Sequence, residues 1–119
     1  MNNSKQIMRS NHYKDMTKIE KFAYNLFDTY NKMKWNKQST NLLNRYISEF
    51  GNYEVEIFHN VYENFYGIIL FSSDNGQYSF LKSYEDGGKI VEKLFHLVDK
   101  AYNSNSDFID DAIKQLKRS

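Results

Sequence analysis

The stretch ENFYGIILFSSDNGQYSFLKS, residues 63–83, decides the fold, because two apolar segments in it flank an Asn-Gly pair. The first segment is apolar enough to be a buried strand, and the second alternates as a strand with one solvated face does. Asn-Gly is a strong hairpin signal, because a type I′ turn needs positive φ at both central residues. We therefore predict a β-hairpin whose tip consists of Asp74, Asn75, Gly76 and Gln77. Its register pairs apolar residues across the strands: Phe71 with Phe80 and Leu70 with Leu81.

A third strand is predicted just before this hairpin. Tyr53, Val55 and Ile57 alternate with Glu54 and Glu56, which is the period of a strand with one buried and one solvated face. Strands that follow one another through short links usually pair as neighbours. The three strands therefore form an antiparallel meander.

A basic helix is predicted over residues 17–37. Thr17 and Glu20 have the spacing of a capping box, and the apolar residues around and after them recur every three or four positions. These apolar residues are Ile19, Phe22, Ala23, Leu26, Tyr30 and Met33.

A second helix is predicted between this one and the sheet. Ser39 or Thr40 can cap it, and Gly51 stands where a glycine often ends a helix. Its apolar stripe consists of Leu42, Leu43, Tyr46, Ile47 and Phe50.

Two further helices are predicted after the sheet and the loop YEDGG, residues 84–88. The first begins near Lys89 and is ended by the polar run NSNSD, residues 103–107. Ser106 can cap the last helix, whose early aspartates and late basic residues suit the helix dipole. Its apolar residues are Phe108, Ile109, Ala112, Ile113 and Leu116.

The predicted fold is α+β: an antiparallel three-stranded β-meander with helices packed on one face, in the order ααβββαα. Residues 1–16 are expected to form a flexible N-terminus. Residues 17–119 are expected to form a single domain, in which the basic helix precedes an αβββαα body spanning residues 39–117.

The charge is unevenly distributed along the chain. Residues 1–50 carry nine Lys/Arg and four Asp/Glu, a net charge of +5, whereas residues 51–119 carry seven and eleven, a net charge of −4. Two surfaces of opposite sign are one interpretation of this asymmetry, and ordinary solvated helix faces are the other.

The composition excludes several classes of function. The chain has no Cys, which excludes disulfides, thiol catalysis and Cys-based zinc sites. The polar N-terminus is not a secretory signal and no apolar run spans a membrane, so we expect a cytoplasmic protein. His12, His59 and His96 lack metal-ligand spacing, and no catalytic or nucleotide-binding motif is present. We therefore expect no enzymatic activity, no cofactor and no metal.

The segment KMKWNK, residues 32–37, is the best basic-aromatic cluster. Lys32, Lys34 and Lys37 could contact phosphates while Trp35 stacks on a base, which would make the chain a nucleic-acid-binding or regulatory protein of a phage or mobile element. The alternative is a helix C-terminus whose lysines suit the dipole and whose Trp packs on the sheet.

Residues 40–117 resemble the small prophage-encoded anti-CRISPR proteins of the compact αβββαα type, which inhibit type II Cas9. The matching features are the strand that begins Tyr53-Glu54-Val55, the apolar strand GIILFSS, the turn DNGQY, the helix opening KIVEKLF and a final helix with an acidic start. They cover about two-thirds of the chain.

The resemblance implies a protein that binds a bacterial Cas9, with guide RNA loaded, and blocks target DNA by steric occlusion or partial DNA mimicry. It implies a partner-binding role for three sets of residues. These are the hairpin tip (Asp74, Asn75, Gly76 and Gln77), the acidic loop (Glu85 and Asp86) and the last helix (Asp107, Asp110 and Asp111). The basic N-terminal helix would then be free to meet nucleic acid. The site of action would be the cytoplasm of a bacterial host.

Overall fold

The computed structural model describes residues 16–118, with the side chains of residues 105–107 outside the description. Within this range the chain forms two α-helices, one 3-10 helix and a five-stranded antiparallel sheet. The helices are α1 (Lys18–Thr29), the 3-10 helix (Tyr30–Lys32) and α2 (Lys89–Arg118). The strands are β1 (Asn36–Lys37), β2 (Leu43–Phe50), β3 (Tyr53–Asn60), β4 (Phe65–Ser72) and β5 (Tyr78–Lys82). Most of the predicted flexible N-terminus lies outside the described residues.

The sheet is a simple meander, in which each strand pairs with the next one along the chain. The α+β class is confirmed, and so are the three strands predicted at β3, β4 and β5. The predicted number of strands and the order ααβββαα are wrong. Two more strands, β1 and β2, extend the sheet, and a single helix follows it.

The helix predicted between residues 39 and 51 is a strand, β2. Three consecutive residues of this strand are buried: Tyr46, Ile47 and Ser48. Successive side chains of a strand point to opposite faces, so burial on both faces produces an apolar pattern that resembles a helical stripe. Gly51 does not end a helix. It has φ +54 and begins the two-residue loop between β2 and β3, as glycine does in a type II′ hairpin.

The β4–β5 hairpin is present, but its register and turn differ from the prediction. The observed pairs are Phe71 with Tyr78, Leu70 with Ser79, Ile69 with Phe80 and Ile68 with Leu81. This shift of two residues keeps every side chain on its predicted face. The Gly76 amide donates to the Ser72 carbonyl over 2.9 Å, so the loop is longer than two residues. Gly76 has φ +71 but Asn75 has no positive φ, which excludes a type I′ turn.

The two helices predicted after the sheet are one continuous helix, α2. The run at residues 103–107 does not end it, and Ser106 is not an N-cap. Asn, Ser and Asp each lower helix stability by less than about 1 kcal/mol relative to Ala, whereas Gly and Pro are the strong breakers. Residues 89–118 contain neither. At 30 residues the helix is about 45 Å long.

Helix α1 begins as predicted and ends earlier. The Thr17 side chain accepts from the Glu20 amide, and the Glu20 carboxylate accepts from the Thr17 amide, which completes the capping box. The helix stops at Thr29, so the remainder of the predicted helix forms the 3-10 turn and β1.

Both helices pack on one face of the sheet and enclose the core there. The buried core residues are Ala23 and Leu26 of α1, Trp35, Tyr46, Val55, Ile57, Ile68 and Leu81, and Ile90, Val91, Leu94, Phe95 and Val98 of α2. Helix α2 reaches from β4 to β2, where its Phe95 and Tyr102 rings lie 5.7 and 5.3 Å from the Tyr46 ring. Among the described residues no helix covers the opposite face.

A candidate binding surface on the open face of the sheet

The sheet face opposite the helices, called the open face below, carries three rows of side chains set by the strand register. The rows are Glu49, Glu54, Phe71 and Tyr78; Ile47, Glu56, Ile69 and Phe80; and Arg45, Phe58, Gly67 and Lys82. Phe71, Phe80 and Tyr78 expose 38%, 46% and 67% of their surface. Contiguous exposed apolar surface on a small domain marks an interaction site, so this face is the candidate functional surface.

A lysine lies among aromatic rings at one edge of the open face. The Lys82 Nζ atom is 5.3, 5.8 and 6.0 Å from the ring centroids of Phe80, Tyr84 and Phe65. These distances fall within cation–π range. The Tyr78 and Phe80 rings stack along β5 with centroids 6.3 Å apart. The edge strand therefore presents a fixed set of rings to solvent.

The Phe58 ring packs over Gly67 in the third row. The two residues are register partners, and a Cβ added to Gly67 would lie 2.3 Å from Phe58 Cζ. Glycine leaves the space in which an aromatic ring covers a strand backbone. This pair keeps the ring flat against the sheet.

Gly67→Ala is expected to displace the Phe58 ring and to lower the free energy of unfolding by about 1 kcal/mol, because the clash is with the far end of a side chain. Urea denaturation measures this cost. In a Phe58→Leu background the same substitution should cost less, because the shorter side chain leaves room for the methyl group. Equal costs in the two backgrounds would contradict the ring-over-glycine contact.

Two carboxylates face each other in the first row. Glu49 and Glu54 are directly opposite residues of β2 and β3, and neither has an ion-pair partner among the described residues. Glu56 in the next row is neutralised by Arg45, whose Nη2 lies 2.9 Å from its Oε1. Like charges directly opposite each other destabilise a sheet. The first row thus combines an uncompensated acidic pair with two exposed rings, an arrangement that suits a cationic partner such as Arg.

The sequence did not identify Glu49 as part of this surface, because β2 was predicted as a helix. The missed signal was Gly51-Asn52, a Gly-Asn pair between two β-prone segments. Taken as a hairpin loop, it places Glu49 opposite Glu54.

The predicted hairpin tip lies at the same end of the sheet as this acidic pair. The Ser73 amide and hydroxyl both donate to the Asn52 carbonyl, which joins the tip to the β2–β3 loop. Asp74 is exposed. The Gln77 amide donates to the Asn75 side chain over 2.9 Å, and the Gln77 side chain accepts from Asn75, so both residues take part in turn structure.

The other predicted acidic residues lie elsewhere. Glu85 and Asp86 follow β5, at the end of that strand remote from the tip, and Glu85 accepts a hydrogen bond from the Lys82 amide. Asp110 and Asp111 are exposed on α2 beyond the sheet. Asp107 belongs to α2, but its side chain is outside the description. The structure does not bring these sets together into one acidic surface.

The predicted basic-aromatic cluster divides between core and surface. Trp35 is buried and donates to the Tyr30 carbonyl over 2.9 Å, so its ring belongs to the core and is not free to stack on a base. Lys32, Lys34 and Lys37 are exposed. Lys34 lines a groove of about 300 Å³ that Asp110 also lines, which brings together two residues from different predicted sets.

Two of the three histidines lie beside one tyrosine. The His59 ring stacks on Tyr66 at 4.2 Å, and His96 contacts the edge of the same ring at 5.3 Å. No group of three or more His, Asp and Glu side chains that could hold a metal ion occurs in the described part of the chain. Between residues 16 and 118, neither α-helix combines the length and the apolar character needed to cross a bilayer.

Comparison of the chain with protein-family models, with curated proteins and with solved structures finds no match.

Proposed function

We propose that this protein is a non-enzymatic inhibitor that binds a type II Cas9 effector and blocks target DNA, in the manner of the anti-CRISPR proteins that its sequence resembles. The site of action is the cytoplasm of a bacterial host. The observation that carries the proposal is the row of Glu49, Glu54, Phe71 and Tyr78 on the open face. It joins paired carboxylates to exposed aromatic rings on a rigid sheet.

The chemistry of this row fits a DNA-binding groove. Such a groove holds Arg and Lys side chains that grip phosphates and the edges of guanines. Carboxylates accept the same charge-assisted hydrogen bonds from Arg, and aromatic faces attract the guanidinium plane. Because the strand backbone fixes the carboxylates, little ordering entropy is lost on binding. Asp74, at the same end of the sheet, adds a further charge.

The test is a DNA cleavage assay with several guide-loaded type II effectors. The unmodified protein is expected to stop cleavage at a stoichiometric ratio, and Glu49→Lys with Glu54→Lys is expected to raise the half-inhibitory concentration about 100-fold. The double substitution exchanges one like-charged pair for another, so the sheet should keep its stability. Glu63→Lys with Glu92→Lys changes the same charge at exposed positions away from the first row and should leave inhibition unchanged.

Three outcomes of this assay bear on the proposal. Normal cleavage by every effector at large protein excess would refute inhibition. Equal loss of inhibition in both double variants would refute the role of the first row. Asp74→Ala with Gln77→Ala separates the tip from the row, because full inhibition by that variant would show that the tip is only a turn.

A second candidate function is nucleic-acid binding through the exposed Lys32, Lys34 and Lys37. Without a free Trp35 ring, such binding would rest on phosphate contacts and would weaken steeply with salt. Gel shifts at two salt concentrations distinguish it from the first proposal. No shift at low salt would rule it out.

A further inference from the structure

The C-terminal part of α2, residues 103–118, forms a projecting arm. All of its described side chains are exposed, whereas the preceding turns of the helix are packed on the sheet. Sixteen residues of helix extend about 24 Å. The arm is therefore a helix without a covering element among the described residues.

The arm is amphipathic despite its exposure. Four apolar residues recur at helical spacing on one side: Ile109, Ala112, Ile113 and Leu116. Ile109, Ile113 and Leu116 expose 56%, 45% and 74% of their surface. Since a short exposed helix gains most of its stability from packing of its apolar stripe, this stripe calls for a partner helix.

The charges of the arm are arranged in two blocks. Asp110 and Asp111 precede Lys114, Lys117 and Arg118 along the helix. A parallel pair of arms would place each block beside its own copy and repel. An antiparallel pair places the acidic block of one arm beside the basic block of the other, which is complementary.

The same antiparallel arrangement matches the apolar stripe. A two-fold axis between Ala112 and Ile113 sets Ile109 opposite Leu116 of a second copy and Ala112 opposite its Ile113. It also sets Asp111 opposite Lys114 of that copy. The apolar and charged positions are satisfied by one register, and the interface is self-complementary, as two-fold dimers require.

A groove at the base of the arm supports this occupant. Its walls are Tyr30, Met33 and Trp35 from the 3-10 helix and the segment after it, and Tyr102, Ile109 and Asp110 from α2. With Leu116 of the second copy opposite Ile109, that leucine lies at the groove, and Arg118 of the copy approaches the acidic block. We infer that the occupant of the arm is a second copy of this chain, bound as an antiparallel helix pair. The inference uses a different surface from the open face and does not depend on the proposed function.

The test uses charge exchange in the full chain, followed by sedimentation equilibrium. The unmodified protein should form a dimer in a concentration-dependent equilibrium. Asp111→Lys and Lys114→Glu should each raise the dimer dissociation constant about tenfold, because each places like charges across the axis twice. An equimolar mixture of the two variants should restore association, because lysine then faces a carboxylate on both sides.

The mixture is the decisive measurement. In it each chain keeps its own unfavourable neighbours three residues apart on the helix, so recovery cannot come from helix stability. Lys100→Glu, at an exposed position of α2 before the arm, is the matched control and should leave the equilibrium unchanged. A monomer at every concentration, single variants that still dimerise normally, or a mixture that fails to associate would each overturn the inference. Circular dichroism confirms that the variants keep their helix content.

Discussion

Replacement of Gly88 by alanine is expected to lower the free energy of unfolding by about 3 kcal/mol or more, which is a large share of the stability of a small domain. Gly88 is buried where β5 gives way to α2. A Cβ at this position would lie 2.0 Å from the Lys82 carbonyl oxygen and 3.0 Å from the Glu85 carbonyl oxygen. Both are backbone atoms, so no side-chain rotation relieves the contact.

The hydrogen bonds around Gly88 explain why the backbone cannot move away. The Glu85 amide donates to the Lys82 carbonyl, the Gly88 amide to the Glu85 carbonyl and the Val91 amide to the Gly88 carbonyl. These three bonds fold the chain from the sheet into the first turn of α2. A methyl group at Gly88 would have to separate the first turn of the helix from the end of the strand.

Gly76→Ala is the matched control for this substitution. Gly76 has φ +71, but no atom lies within 4 Å of the position of its Cβ, so alanine there meets only the backbone strain of about 1 kcal/mol. Thermal unfolding should show a fall in Tm of a few degrees for Gly76→Ala and of roughly 12 °C for Gly88→Ala. Equal shifts would mean that crowding at the strand–helix junction is not what requires glycine at Gly88.

The elements that the sequence predicted correctly are those whose signals are local. The Thr17 capping box, the alternation of β3 and the apolar run of β4 depend on neighbouring residues, and each is present in the structure. The register of the β4–β5 hairpin was wrong by two residues. Alternation determines which face a side chain occupies, but the length of the loop determines which residues pair.

The strand β2 could not be recognised from periodicity alone. Ile47 is buried on the open face, between neighbours on β1 and β3, while Tyr46 and Ser48 are buried under α2. Burial on both faces depends on strands distant in sequence. The local pattern therefore fitted a helix, and tertiary pairing decided the outcome.

The candidate surface was missed for the same reason. Glu54 was correctly placed on a solvated face, but its partner Glu49 and the row that continues to Phe71 and Tyr78 exist only once β2 pairs with β3. The resemblance emphasised loop acids, and those lie at separate places in the fold. Sheet pairing, and not loop chemistry, creates the acidic-aromatic row.

Above pH 10, the free energy of unfolding is expected to fall by about 1.4 kcal/mol per pH unit because of Tyr46 alone. Tyr46 is fully buried, and its hydroxyl donates to the Asp99 carboxylate of α2. Burial first, and then the hydrogen bond and the negative charge of Asp99, raise the pKa of Tyr46 well above its usual value of 10.0. The folded protein therefore keeps a proton that the unfolded chain releases.

The sign of the effect follows from this proton. Below pH 10 tyrosine is neutral in both states, and the contribution of Tyr46 to stability is complete. As the pH rises past 10, the unfolded chain loses the proton and gains free energy that the folded protein cannot match. Stability should continue to fall until the pH reaches the raised pKa of the folded state.

Tyr46→Phe separates this effect from the titration of the other tyrosines and the lysines. The variant leaves the Asp99 carboxylate without its donor, so at pH 8 it should be less stable than the unmodified protein by about 1–2 kcal/mol. Because phenylalanine does not titrate, its alkaline slope should be shallower, and the two stability curves should meet roughly one pH unit above the tyrosine value of 10. Urea denaturation at pH steps between these limits measures both slopes. Tyr78→Phe, which removes an exposed hydroxyl, should leave the slope unchanged. Parallel curves for Tyr46→Phe and the unmodified protein would show that Tyr46 does not hold its proton in the core.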